Sequence, residues 1–444
     1  MIEPTETRRR ATGSDPRRRA RTVRPLATAV VLGAALLASC GDAGDELARV
    51  RRALDTTTVP SEPDPQGSVT TGSLELPVLP PVSAPPDATF PPNQPIVPVL
   101  PSADPGTVPS AVPTTPAVRL SPFVVADPAS NGIAAYSVLV PDGWRASGEV
   151  QWLPFWSRLA FLQTRVVDPA SGLTIDWLPI QDFMYFTPPP GFEVPVGGNY
   201  QGKAYVPPIT DPIQFVRDFW MVDSLSHLRD ATVVGIVELP AVADDFLARF
   251  GGPGDAGAWK IRYAYDAQGI AWEQDVSFAL LWSGSDPVSW YVNFAVTAGA
   301  PAGELDRQES LVSSVVASRT TTIEWEANHR LVTQLFYQGI QQQMAGTVRF
   351  GELLAQYRAE SQALQQQVFD ERMASIDRRN EIFRETLGGV EGYDDPVNGG
   401  VVPLPLGWDT YWVNEQGEYL AVGDPGFDPN TLNDGTWIQL APRG

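Results

Sequence analysis

Between residues 118 and 320 the pattern is mixed α/β, with stretches of alternating apolar and polar positions that predict strands. "AAYSVLVPDGWRA" (134–146) alternates into a Pro-Asp-Gly turn and predicts a strand and a reversal. Further strands are expected over 160–167 and 173–179, divided by the turn "DPASG", and over 231–239. A meander, "AWKIRYAYDAQGIAWEQDVSFALLWSGSDPVSWYVNFAVTAG", follows with turns at 266–269 and 283–287. Helical spacing interrupts this in two places. "DPIQFVRDFWMVDSLSHL" has Asp211 as N-cap and Pro212 at the first helical position. "GELDRQESLVSSVVAS" (303–318) closes the meander as an amphipathic helix.

From 324 to 387 the period becomes helical. "TVRFGELLAQYRAESQALQQQVFDERMASIDRRNEIFRETL" has no Pro, and its apolar positions drift from Phe350 to Leu387 as a 3.6-residue repeat does. The pattern predicts one helix about 60 Å long, ended by Gly388-Gly389. Such a helix needs a partner: the helix before it, the body, or a second copy. Short strands then return, with turns at Asn398-Gly399 and at Asn414-Glu415-Gln416-Gly417. The fold class read from these patterns is α+β: an antiparallel-sheet α/β sandwich body over 118–320, a long helical hairpin-like module over 321–390, and a small aromatic β cap over 391–444.

The N-terminal segment has a different logic. "RRRATGSDPRRRARTVRP" is a basic flank, "LATAVVLGAALL" an apolar run of twelve, and "ASCG" a small-residue end. Twelve apolar residues are too few to cross a bilayer, which takes about 20, and the pattern is that of an export signal over 1–39. Leu37-Ala38-Ser39-Cys40 resembles the lipobox of bacterial lipoproteins, which implies cleavage before Cys40 and lipidation of its thiol. Cys40 is the only Cys in the chain, so no internal disulfide is available. Acyl chains contribute about 0.8 kcal/mol per buried CH₂, enough with two or three chains to hold a protein at a membrane. The Arg clusters leave Sec and twin-arginine export both open. Residues 40–117 are so dense in Pro, with no Lys or Arg beyond Arg52, that they are read as a disordered, semi-rigid spacer.

Charge narrows the partners. The chain has 31 basic and 52 acidic residues, a net −21. Residues 1–39 hold eight of the former and three of the latter, so the remainder carries 23 against 49, a net −26. That excess argues against nucleic acid or an anionic membrane surface as partner, since both need basic patches. Two Lys against 29 Arg, with abundant Ala, Gly, Pro and Val, suggests a GC-rich, actinobacterial type of source.

The "YSVLVPDGW" strand opening, the meander and the closing helix together resemble the Mog1/PsbP-like α/β sandwich of small bacterial lipoproteins. The resemblance covers roughly 120–320 and implies a binding or assembly factor. "YFTPPPGFEVPVGGNYQGKAYVPPIT" is longer than that family leads one to expect. Tyr393, Asp395-Pro396, Leu404-Pro405, Gly407, Trp412, Asn414 and Gly417-Glu418-Tyr419 resemble a C-terminal module of uncharacterised bacterial secreted proteins, which implies no activity.

Candidate chemistry is sparse. With only His227 and His329, no HExxH and no second Cys, no zinc set of N and S ligands can be assembled, and no metal or cofactor is expected. No GxSxG, SxxK or glycine-rich phosphate loop occurs. A Ser–His–Asp triad from distant segments stays open, because triads are defined by geometry. The plainer readings are His227 capping carbonyls at a helix end and His329 pairing with Glu326. Asp394, Asp395 and Glu418, with Asp409 nearby, are the acid candidates. Two carboxyls about 5–9 Å apart beside an aromatic platform suit glycoside hydrolysis, whereas Asp394 and Asp395 also suit the turn before Pro396. Asp424, Asp428, Asn430 and Asp434 offer oxygen ligands but match no calcium-loop spacing. Trp408, Trp412 and Tyr419 are candidate ligand contacts, if exposed as a platform. An isolated hairpin is marginal in water, so the segment is read first as the core of a cap packed on the long helix.

These readings converge on a cell-envelope lipoprotein, anchored through Cys40 at the extracytoplasmic face of the membrane. Its expected work is non-enzymatic binding or scaffolding, with an envelope protein or wall polymer as partner. The alternatives are a carboxylate-dependent hydrolase or carbohydrate-binding protein acting on wall glycan, and self-association through the long helix.

Overall fold

The alternation in "AAYSVLVPDGWRA" becomes a strand and a turn. Ile133–Pro141 is extended, Gly143 takes φ 85°, and the Trp144 N–H donates to the Pro141 carbonyl at 3.0 Å. The computed structural model describes residues 96, 98, 117–153, 157–250, 252–343, 358–374, 388–432 and 435–443. In chain order the strands are β1 (Ala117–Asp127), β2 (Ile133–Pro141), β3 (Arg145–Trp152), β4 (Ala160–Val167), β5 (Thr174–Trp177), β6 (Asp182–Tyr185), β7 (Asn199–Tyr200), β8 (Lys203–Tyr205) and β9 (Thr232–Glu238). Then come β10 (Asp255–Ala267), β11 (Ile270–Ser283), β12 (Val288–Pro301), β13 (Thr320–Thr321), β14 (Val390–Asp394), β15 (Val401–Pro405), β16 (Thr410–Asn414), β17 (Tyr419–Val422) and β18 (Trp437–Gln439). The helices are α1 (Pro212–Phe215), α2 (Pro240–Phe250), α3 (Glu304–Arg307), α4 (Glu309–Ser318), α5 (Ile323–Gln343) and α6 (Arg358–Ala374).

The described residues are mostly β-sheet with few helices. The larger sheet runs β3-β4-β5-β12-β11-β10-β9, with β6, β7 and β8 attached beside β12, and is antiparallel except for the β6–β8 pair. The second sheet runs β13-β2-β1-β17-β16-β18. Val138 and Val140 of the second sheet share a core with Val166, Ile175 and Val296 of the first, closed by Val315 and Val316 of α4. The apolar faces of the two sheets therefore cover each other, which is the sandwich arrangement expected of two half-apolar sheets.

Residues 391–444, read as a separate cap, join this sandwich. β17 pairs antiparallel with β1, with Ala117 opposite Val422 and Leu120 opposite Tyr419. The hairpin β16–β17 is too small to stand alone, and β1 offers it an edge.

Helices depart from the sequence pattern in four places. Asp211 is the N-cap of α1 and accepts from Gln214 N–H at 2.7 Å, but α1 passes directly into a π-helical turn, Val216–Trp220. Phe215, Val216, Trp220, Leu225 and Leu228 are all buried, whereas Gln214, Arg217, Asp218 and Val222 are exposed, so the segment packs by one side. The helix expected over 303–318 is two, broken at Gln308 (φ −110°, ψ 16°). Helix α2 was not expected from the pattern at all. The long helical hairpin-like module is not seen: among the described residues 321–390 holds two separate helices, α5 and α6. Their charges bind each other and the body, with Arg330 to Glu371 at 2.7 Å, Arg372 to Glu326 at 2.6 Å and Arg372 to Thr321 at 2.7 Å. Residues 344–357 and 375–387 lie outside the described residues.

Ile96, inside the segment read as a disordered spacer, is buried against the body, and its N–H donates to the Ser224 carbonyl at 3.0 Å. Apart from Ile96 and Pro98, the spacer lies outside the described residues, as do the expected signal segment and Cys40.

Candidate functional site

Three adjacent strands build a polar surface on the outer face of the larger sheet. Ser147 lies opposite Arg165 and Glu149 opposite Gln163 across β3–β4, and Arg165 lies opposite Asp176 across β4–β5. Leu162, Val166 and Ile175 point inward to the core between the sheets, so by the two-residue period Phe161, Gln163, Arg165 and Asp176 point outward. Ser224 and Ile96 lie over this face, and together these groups line a cleft of about 300 Å³. That volume is at the small end of small-molecule sites.

The floor of the cleft is pinned from behind. Arg319, half-buried, donates from Nε to Thr164 Oγ1 at 3.1 Å and from a terminal nitrogen to the Leu162 carbonyl at 2.8 Å. Its guanidinium sits over Tyr136 at 4.8 Å and Trp177 at 5.3 Å, and burial pushes its pKa down to about 10. Tyr136 Oη donates to the Gln163 carbonyl. Strand β4 is thereby fixed on its inner side beneath the polar outer row.

Asp176 is the unusual group. It is only 6% exposed, its Oδ1 lies 3.5 Å from Arg165 Nε, and its Oδ2 accepts no hydrogen bond. Burial pushes the carboxyl up to about 7, with Arg165 pulling the other way. Ser224, 2% exposed on the same cleft, also has a side-chain oxygen without a partner. Buried polar atoms are nearly always bonded. Two orphans on one cleft therefore mark a place for something else. An Asp inside "LTIDWL", where strands disfavour it, was the sequence signal; Ser224 and Ile96 had none.

A second polar cluster holds the helices to the sandwich. Asp127, fully buried at the end of β1, accepts from Ala129 N–H at 2.9 Å, Ser130 Oγ at 2.7 Å, Trp152 Nε1 at 3.0 Å and Trp325 Nε1 at 2.8 Å. Burial opposes its charge, but the donors, Ser130 and Trp325 foremost, outweigh it and hold the carboxyl below its ordinary range. His329 stacks on Trp325 with centroids 5.0 Å apart. Burial, helped by Arg158, pushes the imidazole down to about 4, and Nε2 has no partner. The expected pairing of His329 with Glu326 gives way to Arg330 and Arg372, which bond Glu326 at 2.7 and 2.6 Å. His227 lies in a 3₁₀ turn and bonds Gln274 Oε1 at 2.7 Å instead of capping carbonyls.

The C-terminal candidates are not gathered into one site. Tyr419 is buried, whereas Trp408 and Trp412 are half-buried in different clusters, Trp408 with Tyr411 and Leu404 and Trp412 with Leu420 and Trp437. They form no common platform, because Trp408 precedes β16 and is not in register with Trp412. Among the described residues the aromatic core packs on Leu120, Leu139 and Leu311 of β1, β2 and α4, not on α6. Asp395 closes its turn, accepting from Val397 N–H at 2.9 Å and Asn398 N–H at 3.1 Å, and receives Tyr419 Oη at 2.5 Å. Asp394 is exposed beside Arg443 at 3.4 Å. Glu418 accepts from Asn414 Nδ2 at 2.7 Å and lies 3.6 Å from Arg119. Asp424 and Asp428 accept from backbone N–H groups two residues on, at 2.9 Å each, and Asp434 lies outside the described residues. Among the described residues no cluster of three or more His, Cys, Asp or Glu is placed to hold a metal ion.

Tyr419→Phe is expected to lower stability by about 1–2 kcal/mol, since it removes the Tyr419 Oη donor from the buried Asp395 Oδ2 and leaves that oxygen with Asn398 Nδ2 at 3.1 Å. Urea unfolding measures this, and an unchanged midpoint would show the bond to be idle.

No protein-family model matches the chain, and no curated protein is similar to it in sequence. Among the described residues no helix is long and apolar enough to cross a membrane.

Proposed function

We propose that the protein is a lipid-anchored cell-envelope lipoprotein whose folded part binds a small ligand in the Asp176 cleft, without catalysing its conversion. The observation that carries the reading is the pair of buried, unpartnered atoms, Asp176 Oδ2 and Ser224 Oγ, on one cleft of about 300 Å³. A glycoside hydrolase needs two carboxyls free to act across one bond. Here Asp395 is occupied by its turn and by Tyr419, Glu418 by Asn414 and Arg119, and Asp176 faces Arg165. The two-sheet sandwich with α4 against it is in keeping with the Mog1/PsbP-like resemblance, whose members are mostly binding or assembly factors; that is a fold-level analogy. Cys40 carries the anchor in this reading, and the Pro-rich segment spaces the body from the membrane.

Native mass spectrometry of the full chain purified from a bacterial envelope tests the binding role. Wild-type protein is expected to carry a small molecule that Glu149→Trp, a substitution at the exposed rim, excludes. Equal occupancy of the two would place the ligand elsewhere, and an empty wild type would remove the reading. On the same samples, Cys40→Ser is expected to lose an acyl mass.

A further inference from the structure

Resting on the cleft as a binding site, we infer that its ligand has a primary ammonium head and an apolar body, the ammonium donating to Asp176 Oδ2 and Ser224 Oγ. Three observations converge on this class. The first is the kind of atom left unsatisfied. Asp176 Oδ2 is an acceptor when the carboxylate is ionised, a hydroxyl oxygen accepts as well as donates, and an ammonium has three donors and no acceptor. The second is charge. Glu149 and Asp176 line the cleft against a single guanidinium, Arg165. A neutral hydroxyl would bond Oδ2 but leave the desolvated carboxylate short of positive charge, and a ligand carboxylate would meet two of its own kind. The third is shape. Asp176 Oδ1 is turned to Arg165 Nε at 3.5 Å, so one oxygen remains. A planar guanidinium ligand wants both oxygens of a carboxylate, whereas an ammonium is a point charge that is content with one. Ile96, Phe161, Leu178 and Pro179 supply the apolar wall for the ligand body. Burial raises the Asp176 pKa, which is the state a cationic ligand would relieve.

Pentylamine, pentanol and pentanoate, three probes of one stem and different heads, test the inference by calorimetric titration of the full chain at pH 8. Pentylamine is expected to bind, with pentanol and pentanoate roughly ten- to hundredfold weaker, the range of a charge-assisted hydrogen bond in a buried site. Asp176→Asn is expected to abolish the preference for the amine, and Ser224→Ala to weaken amine binding by roughly tenfold or less. Pentanol binding as well as pentylamine, or an amine preference that survives Asp176→Asn, overturns the ammonium assignment. Glu149→Trp separates the two levels. If pentanol or pentanoate binds best and Glu149→Trp abolishes it, the cleft stands and the ligand class falls. If no probe binds, or binding survives Glu149→Trp, the cleft reading falls with it.

Discussion

Asp127→Ala is expected to destabilise the protein by about 4 kcal/mol, because each buried donor left unsatisfied costs about 1–3 kcal/mol. The carboxylate is fully buried and accepts from two indoles at once, Trp152 Nε1 at 3.0 Å and Trp325 Nε1 at 2.8 Å. It also closes the turn after β1 through Ala129 N–H and Ser130 Oγ. Those partners lie on β3, on α5 and at the end of β1, so one side chain holds three elements. Ala can replace none of these bonds. Asp127→Asn keeps one carbonyl acceptor but turns an NH₂ toward other donors, and is expected to fall between wild type and Ala. Guanidinium unfolding followed by Trp fluorescence is the measurement. A loss below about 1 kcal/mol would mean that water replaces the carboxylate, and that the helices are held chiefly by the ion pairs of Glu326.

Asp176→Asn is expected to act in the opposite direction, making the protein more stable at pH 8 by about 3 kcal/mol. The folded carboxyl has its pKa raised by burial to about 7, with Arg165 opposing. Its ordinary value is 3.8. Between these values the folded state holds more protons than the unfolded chain, so stability falls as pH rises. The contribution is fully present below the unfolded value and is lost as pH passes through about 7. The charged groups sharing the cleft are Arg165 on β4 and Glu149 on β3. His329, with its pKa pushed down to about 4, works the other way, losing stability as pH falls from its ordinary range. The difference between Asp176→Asn and wild type isolates the first group from the second. It is expected to be near zero at pH 4 and to grow toward pH 8, read by urea unfolding at each pH. A difference flat across that range would show that the carboxylate is well solvated, and would weaken the cleft as a binding site. Groups that cost stability in the empty protein are expected at sites kept for function.

What was legible in the sequence was local. The turn at Gln268-Gly269, with φ values of 57° and 81°, and the Asn414–Gly417 turn, in which Asn414 Oδ1 accepts from Gln416 and Glu418 N–H at 3.0 and 2.9 Å, are set within a few residues. The turn-closing reading of Asp395 belongs to the same class. The long helical hairpin-like module is not seen among the described residues; the 3.6 spacing marks Arg358–Ala374 as a helix with a buried side, at Val368, but does not say which element covers it. The partner of the aromatic cap was missed for a related reason: spacing gathers residues on a face, and only the neighbours, here Leu120, Leu139 and Leu311, decide what covers it.

By itself the sequence determined the turns, the alternation of the strands and the N-cap at Asp211, because backbone conformation and nearest-neighbour hydrogen bonds act over a few residues. Only the tertiary structure decided that β17 closes on β1, with Leu120 opposite Tyr419, and that Asp127 gathers Trp152 and Trp325. It alone brought Asp176, Ser224 and Ile96 to one cleft. The physical reason is shared by all three. Alternation specifies which side chains are buried, but their partners come from distant segments, chosen by which edges and apolar faces remain uncovered once the local elements have formed.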